Sequence, residues 1–197
     1  PYSSAASDVY KRQAMCYVGL LNQDRVNLIG FNNGAENQLS ARRGKSQIWN
    51  TFQFLEAMRT KGSTSMERAF KGFFSSQRRR GLVVVISDFL DPSGFERSFD
   101  MLRHYRQDLF AVHLYDPDER NPILPDEVLL RDAELGDLER VKVTPALMDA
   151  YTHAFDTHVA ALEDYCKKNG WGFISSSTEN PFEDLILQVF RQGRFLT

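Results

Sequence analysis

The residue best placed to do chemistry in this chain is Asp88, which follows the run Leu82-Val83-Val84-Val85-Ile86-Ser87. An uninterrupted aliphatic run reads as a strand buried on both faces, in the middle of a parallel sheet covered by helices. Asp88 then stands at the carboxyl end of a central strand, where open α/β sheets hold their ligands. Upstream, Gly62-Ser63-Thr64 offers hydroxyls at a helix start. A carboxylate and a hydroxyl from neighbouring loops make half a shell for a hard divalent cation, which takes oxygen donors and, as Mg2+, keeps several waters. Both residues also have plainer duties. Thr64, with Glu67 after it, reads as the N-cap of a capping box, and Asp88 reads as a cap of its own loop through Ser93 or nearby amides.

Several elements must position these groups. Met15, Val18 and Leu21 form the stripe of a helix that ends near Asn22. Arg25 to Phe31 reads as a strand, Asn32-Asn33-Gly34 as a turn, and Ala35 to Ala41 as a short antiparallel return. Gly44 to Lys61 carries a helix with Ile48, Trp49, Phe52, Leu55 and Met58 on one face. A second helix from Thr64 has Met66, Ala69, Phe70, Phe73 and Phe74 as its core stripe. After Asp88 come a loop at Asp91-Pro92-Ser93-Gly94, a helix from Phe95 to Arg106 and a buried strand from Leu109 to Tyr115. A Pro-rich loop and a hairpin of Val128–Leu130 with Val141–Val143 follow. Thr144-Pro145 starts a long helix through Leu147, Tyr151, Phe155, Val159, Leu162 and Cys166, and Gly170 stops it. Trp171 to Ser175 is the last strand, and Asn180-Pro181 opens a final helix with Leu185, Ile186, Val189 and Phe190 inside. Strands alternating with helices predict an α/β three-layer sandwich around a mostly parallel, doubly wound sheet.

At 197 residues the chain suits one domain. A formal net charge of −2 gives no global field to attract a phosphate backbone, so a nucleic-acid partner is not expected. Arg42-Arg43-Gly44-Lys45 and Arg78-Arg79-Arg80 read as solvated basic clusters. Cys16 and Cys166 match no disulfide framework or zinc-knuckle spacing, which suits a reducing, cytoplasmic setting. No apolar run approaches the roughly 20 residues that span a bilayer. His104, His113, His153 and His158 read as surface or packed imidazoles, and no nucleotide-binding loop is present. Pro1 to Gln13 is polar and patternless, and Asp8 to Gln13 resembles the translation of a transposon end used in sequencing libraries. Residues 1–13 are therefore read as a non-native leader and 14–197 as the domain.

Taken in order, Arg25-Val26-Asn27-Leu28-Ile29-Gly30-Phe31, Arg42-Arg43-Gly44, Gly62-Ser63-Thr64 and Arg80-Gly81-Leu82 through Ser87-Asp88-Phe89 resemble the von Willebrand factor A-like proteins of domain-of-unknown-function family fifty-eight. The resemblance runs over nearly all of Ala14 to Leu196. It implies a bacterial protein that works beside MoxR-type AAA+ ATPases. It also implies a metal-ion-dependent adhesion site, where bound Mg2+ completes its shell with a carboxylate from a protein partner. Thr64 and Asp88 fall on the second-loop and third-loop ligand positions. The first-loop motif, Asp-x-Ser-x-Ser, has no counterpart and belongs before Ala14. By that resemblance the first strand is missing: Mg2+ is expected in the intact parent and negligible affinity in this chain. The resulting expectation is a non-enzymatic interaction module. The competing class is a metal-assisted hydrolase or phosphotransfer enzyme that uses Asp88 with Asp116 and Asp118 at the next strand end.

Overall fold

A computed structural model describes residues 4–31, 37–58, 65–76, 79–131 and 138–181, with isolated positions 184 and 188. The chain begins with α1 (Ser4–Leu21), the antiparallel pair β1 (Arg25–Gly30) and β2 (Asn37–Arg43), a 3-10 turn (Lys45–Gln47) and α2 (Ile48–Ala57). Next come α3 (Met66–Ser76), β3 (Leu82–Ser87), α4 (Glu96–His104), β4 (Asp108–Tyr115) and the single turn α5 (Pro117–Arg120). The hairpin β5 (Glu127–Arg131) and β6 (Leu138–Lys142), the long α6 (Pro145–Lys168) and β7 (Gly172–Ser177) complete it.

The organising sheet is parallel, with strand order β3-β4-β7. Its register aligns Val85, Ala111 and Phe173, then Ile86, Val112 and Ile174, then Ser87, His113 and Ser175. Side chains alternate across a strand, so these rows separate two apolar clusters. On one face Val85, Leu109 and Ala111 pack with Met66, Phe70 and Phe74 of α3, Phe99 and Leu102 of α4, and Leu162 and Cys166 of α6. On the other, Phe110, Val112, Leu114 and Ile174 gather Val84, Ile86 and Met15 of α1. Each fully buried Phe, Leu or Val contributes on the order of 1.5–3 kcal/mol.

Four expectations change. The strand buried on both faces is β4, where only the end residues are not buried; β3 buries Val85 alone and, among the described strands, pairs only with β4. Composition misplaces the centre because an aliphatic run reports hydrophobicity and not the number of strand neighbours. Trp49 is 70% exposed, and α2 buries Thr51 and Leu55 instead. The stripe of α6 is core only in its second half: Leu162 and Cys166 are buried while Leu147 and Tyr151 are 41% and 43% exposed. Finally, α1 begins at Ser4, well before the predicted stripe, and Gln13 within it is buried and donates to Glu56 at 3.3 Å. The predicted Asn32-Asn33-Gly34 turn and the interior of the final helix lie outside the described residues.

Local chemistry explains the elements that match. Thr144 Oγ1 accepts the Leu147 N–H at 3.2 Å, with proline at the first helical position, so α6 starts where its cap predicts. Gly170, at φ 70°, takes the left-handed conformation that ends it.

Candidate functional site

Strand β3 ends in a tight elbow. The Phe89 N–H donates to Ser87 Oγ at 3.1 Å, and the Leu90 N–H donates to Asp88 Oδ1 at 3.1 Å. Between them Phe89 has φ 58°, a left-handed conformation that a bulky residue adopts only when its surroundings hold it there. What holds it is burial: the Phe89 ring is 1% exposed and lies edge-on to Phe99. The elbow thereby points an aromatic into the core and leaves the neighbouring Asp88 exposed at the sheet rim. Ser87 Oγ lies 3.3 Å from Asp88 Oδ1. Asp88 does cap its own loop, as read from the sequence, through Leu90 and not through Ser93.

The Ser93 contacts belong to Asp91. Its Oδ1 accepts the Ser93 N–H at 2.9 Å and the Ser93 hydroxyl at 2.6 Å, while its Oδ2 accepts the Met66 N–H at 2.9 Å. Burial pushes this carboxyl upward, but the hydrogen bonds from Ser93 and Met66 outweigh it and hold the group below the usual aspartate range. The loop after β3 is thus tied to the first residue of α3. Thr64, two positions before Met66 in the chain, lies outside the described residues. The predicted Thr64 cap is therefore outside them too; next to it, Ser65 Oγ accepts the Arg68 N–H at 3.4 Å and the Ser65 carbonyl accepts the Ala69 N–H. Glu67 forms an ion pair with Lys71.

At the next strand end the carboxylates of the competing enzyme reading serve α5. Asp116 Oδ1 accepts the Asp118 N–H at 3.0 Å, and Glu119 Oε2 accepts the Asp116 N–H at 3.2 Å, a reciprocal capping box. Arg120 grips Asp156 of α6 with two nitrogens at 2.9 and 3.1 Å, and the Tyr151 hydroxyl donates to the Glu119 carbonyl. Among the described residues no three His, Cys, Asp or Glu come together to hold a metal, so Asp88, Asp116 and Asp118 form no such group. Asp88 and Ser87 offer oxygen donors of the kind Mg2+ takes, but as a partial shell.

The sequence misses one pair. His113 Nδ1 lies 2.8 Å from Ser175 Oγ, on adjacent strands. The His113 ring is 1% exposed and has Phe89, Tyr115, Phe155 and His158 around it. Burial, reinforced by His158, pushes its pKa down to about 4, with Asp88 opposing. His158 Nε2 is buried with no hydrogen-bond partner among the described residues. An imidazole so enclosed reaches no substrate and is neutral near pH 7, so the pair acts as cross-strand packing. The thiols are equally inert: burial pushes Cys16 and Cys166 up to about 12.

Comparison with known proteins agrees with this architecture. The family described as "Protein of unknown function DUF58" matches residues 12–161. An uncharacterized protein of Mycobacterium bovis is 32% identical over 121 residues, which is 60% of this chain and 37% of the relative. An uncharacterized protein of Mycobacterium avium is 36% identical over 120 residues, 60% of this chain and 69% of that one. The chain therefore spans little more than a third of the M. bovis relative's length. Among solved structures, the conserved hypothetical protein BatB from Bacteroides thetaiotaomicron superposes with a TM-score of 0.51 at 12% identity, covering 96% of this chain and 89% of that one. An aerotolerance-related membrane protein from Bacteroides fragilis, carrying multiple mutations to serines, gives 0.54 at 14%, covering 97% and 89%. At such identities the likeness concerns the fold. Among the described residues no helix is long and apolar enough to cross a membrane.

Proposed function

The chain belongs to the DUF58 family of proteins of unknown function, and on that premise we propose that it is a non-enzymatic protein-interaction module. On this reading the domain is a von Willebrand factor A-like three-layer sandwich of the cytoplasm. The rim formed by the β3 elbow and the start of α3 is its adhesion face. Asp88 supplies one carboxylate to a divalent cation there, Thr64 is assigned the neighbouring hydroxyl, and a partner's acidic side chain completes the shell. A MoxR-type AAA+ ATPase is the proposed partner class.

The observation that carries the reading is the elbow itself. A strained, buried Phe89 holds an exposed Asp88 outward, and Asp91 fastens that loop to Met66 at the head of α3. Backbone strain at the residue next to an exposed carboxylate supports a binding role there. Because the described donors make only part of a shell, this chain alone is expected to hold the cation with negligible affinity, and the partner's carboxylate is what closes the site.

The test is capture by the immobilised chain of a MoxR-type ATPase encoded beside it. Retention in Mg2+, release by chelator, and loss with Asp88→Ala at unchanged far-UV circular dichroism support the module. Retention that ignores both chelator and Asp88→Ala refutes it.

A further inference from the structure

The β5–β6 hairpin is a two-stranded sheet that no other described strand joins. A lone two-stranded ribbon is marginal in water and is stabilised by further strands or by packing against a helix. This one leaves Leu129, Leu130 and Leu138 exposed at 60%, 47% and 62%. Its register pairs Glu127 with Lys142 and Leu129 with Arg140. The Val143 N–H donates to the Asp126 carbonyl at 2.8 Å, which sets the phase of the ladder. By alternation Asp126, Val128 and Leu130 turn their backbone groups toward β6, while Glu127, Leu129 and Arg131 turn theirs to the outer edge. An edge that no described strand covers is a template for another strand.

We propose that the occupant is β5 of a second copy, added antiparallel across a two-fold axis through Leu129. Such an axis, normal to the sheet, keeps every side chain on its own face, so residues that meet must be an even number of positions apart. In Glu127-Val128-Leu129-Leu130-Arg131 that register sets Glu127 against Arg131 of the second copy, twice by symmetry. It also sets Val128 against Leu130, and Leu129 against itself. Opposite charges facing across strands stabilise pairing, and like charges oppose it.

The other edge fails the same test. Within Leu138-Glu139-Arg140-Val141-Lys142, an axis through Glu139 or Arg140 opposes that residue to itself. One through Val141 opposes Arg140 to Lys142. Charge complementarity therefore selects β5, self-paired at the centre of a four-stranded antiparallel sheet shared by two subunits.

Sedimentation velocity over a concentration series tests this. The unmodified chain is expected to show a monomer–dimer equilibrium. Glu127→Lys and Arg131→Glu should each raise the dissociation constant about tenfold or more, since two favourable cross-strand pairs become repulsive. An equimolar mixture of the two variants should dimerise again. Mixing leaves each hairpin's own pairs, such as position 127 with Lys142, unchanged, so restoration reports the contact between copies. A chain that stays monomeric at all concentrations overturns the proposal. So does a dimer indifferent to both substitutions, or a mixture that fails to recover.

Discussion

Asp91 Oδ2 lies 2.9 Å from the backbone nitrogen of Met66, so a residue of the β3 loop caps a helix that precedes it in the chain. An anionic acceptor at a helix N-terminus satisfies an orphan donor and suits the macrodipole. Asp91→Ala is expected to cost about 1–2 kcal/mol, the usual range for lost caps, with Asp91→Asn costing less. Because the folded carboxyl sits below its ordinary range, its contribution is present above the unfolded pKa and is lost as pH falls through the folded one. Urea denaturation of wild type and variant should converge in acid. A gap that persists there would show that the charge is not the cause.

His113 also weakens the fold in acid, over a higher pH range. Its folded pKa of about 4 lies below the ordinary 6.5, so the unfolded chain takes up the proton first. Stability contributed by the neutral imidazole is complete above pH 6.5 and falls toward pH 4, in total by about 3 kcal/mol. The groups facing His113 are His158 from α6, Ser175 from β7 and Asp88 at the end of β3. Replacing it with Gln should flatten the pH dependence between those limits. Equal slopes for wild type and His113→Gln would contradict the burial argument.

Gly172 is held by contact. A Cβ built there would lie 2.3 Å from Phe110 Cδ2, and Phe110 is 1% exposed and in register with it. Gly172→Ala is expected to cost about 1–3 kcal/mol through overpacking. Gly170, two residues earlier, has open space around its missing Cβ but φ 70°. Gly170→Ala should cost about 1 kcal/mol from backbone strain alone. Thermal unfolding of the two variants distinguishes crowding from strain; a Gly172→Ala midpoint equal to wild type would mean that Phe110 yields.

What was legible in the sequence was what local chemistry decides. Thr144 and Gly170 bracket α6 because a cap hydroxyl and a left-handed stop act within a few residues. Phe95, Phe99 and Leu102, within the helix predicted from Phe95 to Arg106, are all buried. Strand β5 begins one residue before its predicted start, and β6 three residues before its own. What was not legible depends on partners far along the chain. The apolar run of β3 gives no sign that, among the described strands, it pairs with β4 alone, and Trp49 obeys the periodicity of α2 while staying in solvent. Ser175 and His113 stand 62 positions apart and meet only through the β4–β7 register. Of the candidate site, Asp88 follows the carboxyl end of β3, where the apolar run put it, and is exposed. Asp91, its fastening to Met66, looked like an ordinary turn residue, because nothing nearby in sequence shows which amide it will accept.

The measurement closest to the central claim is a titration of the isotope-labelled chain with Mn2+, followed by amide NMR, since paramagnetic broadening detects even weak occupancy close to an ion. The adhesion reading predicts that the amides of Ser87, Asp88, Phe89, Leu90 and Met66 broaden first, and that Asp88→Ala abolishes the selectivity. Broadening spread over the acidic surface, or centred on Asp116 and Asp118 and unaffected by Asp88→Ala, would contradict it.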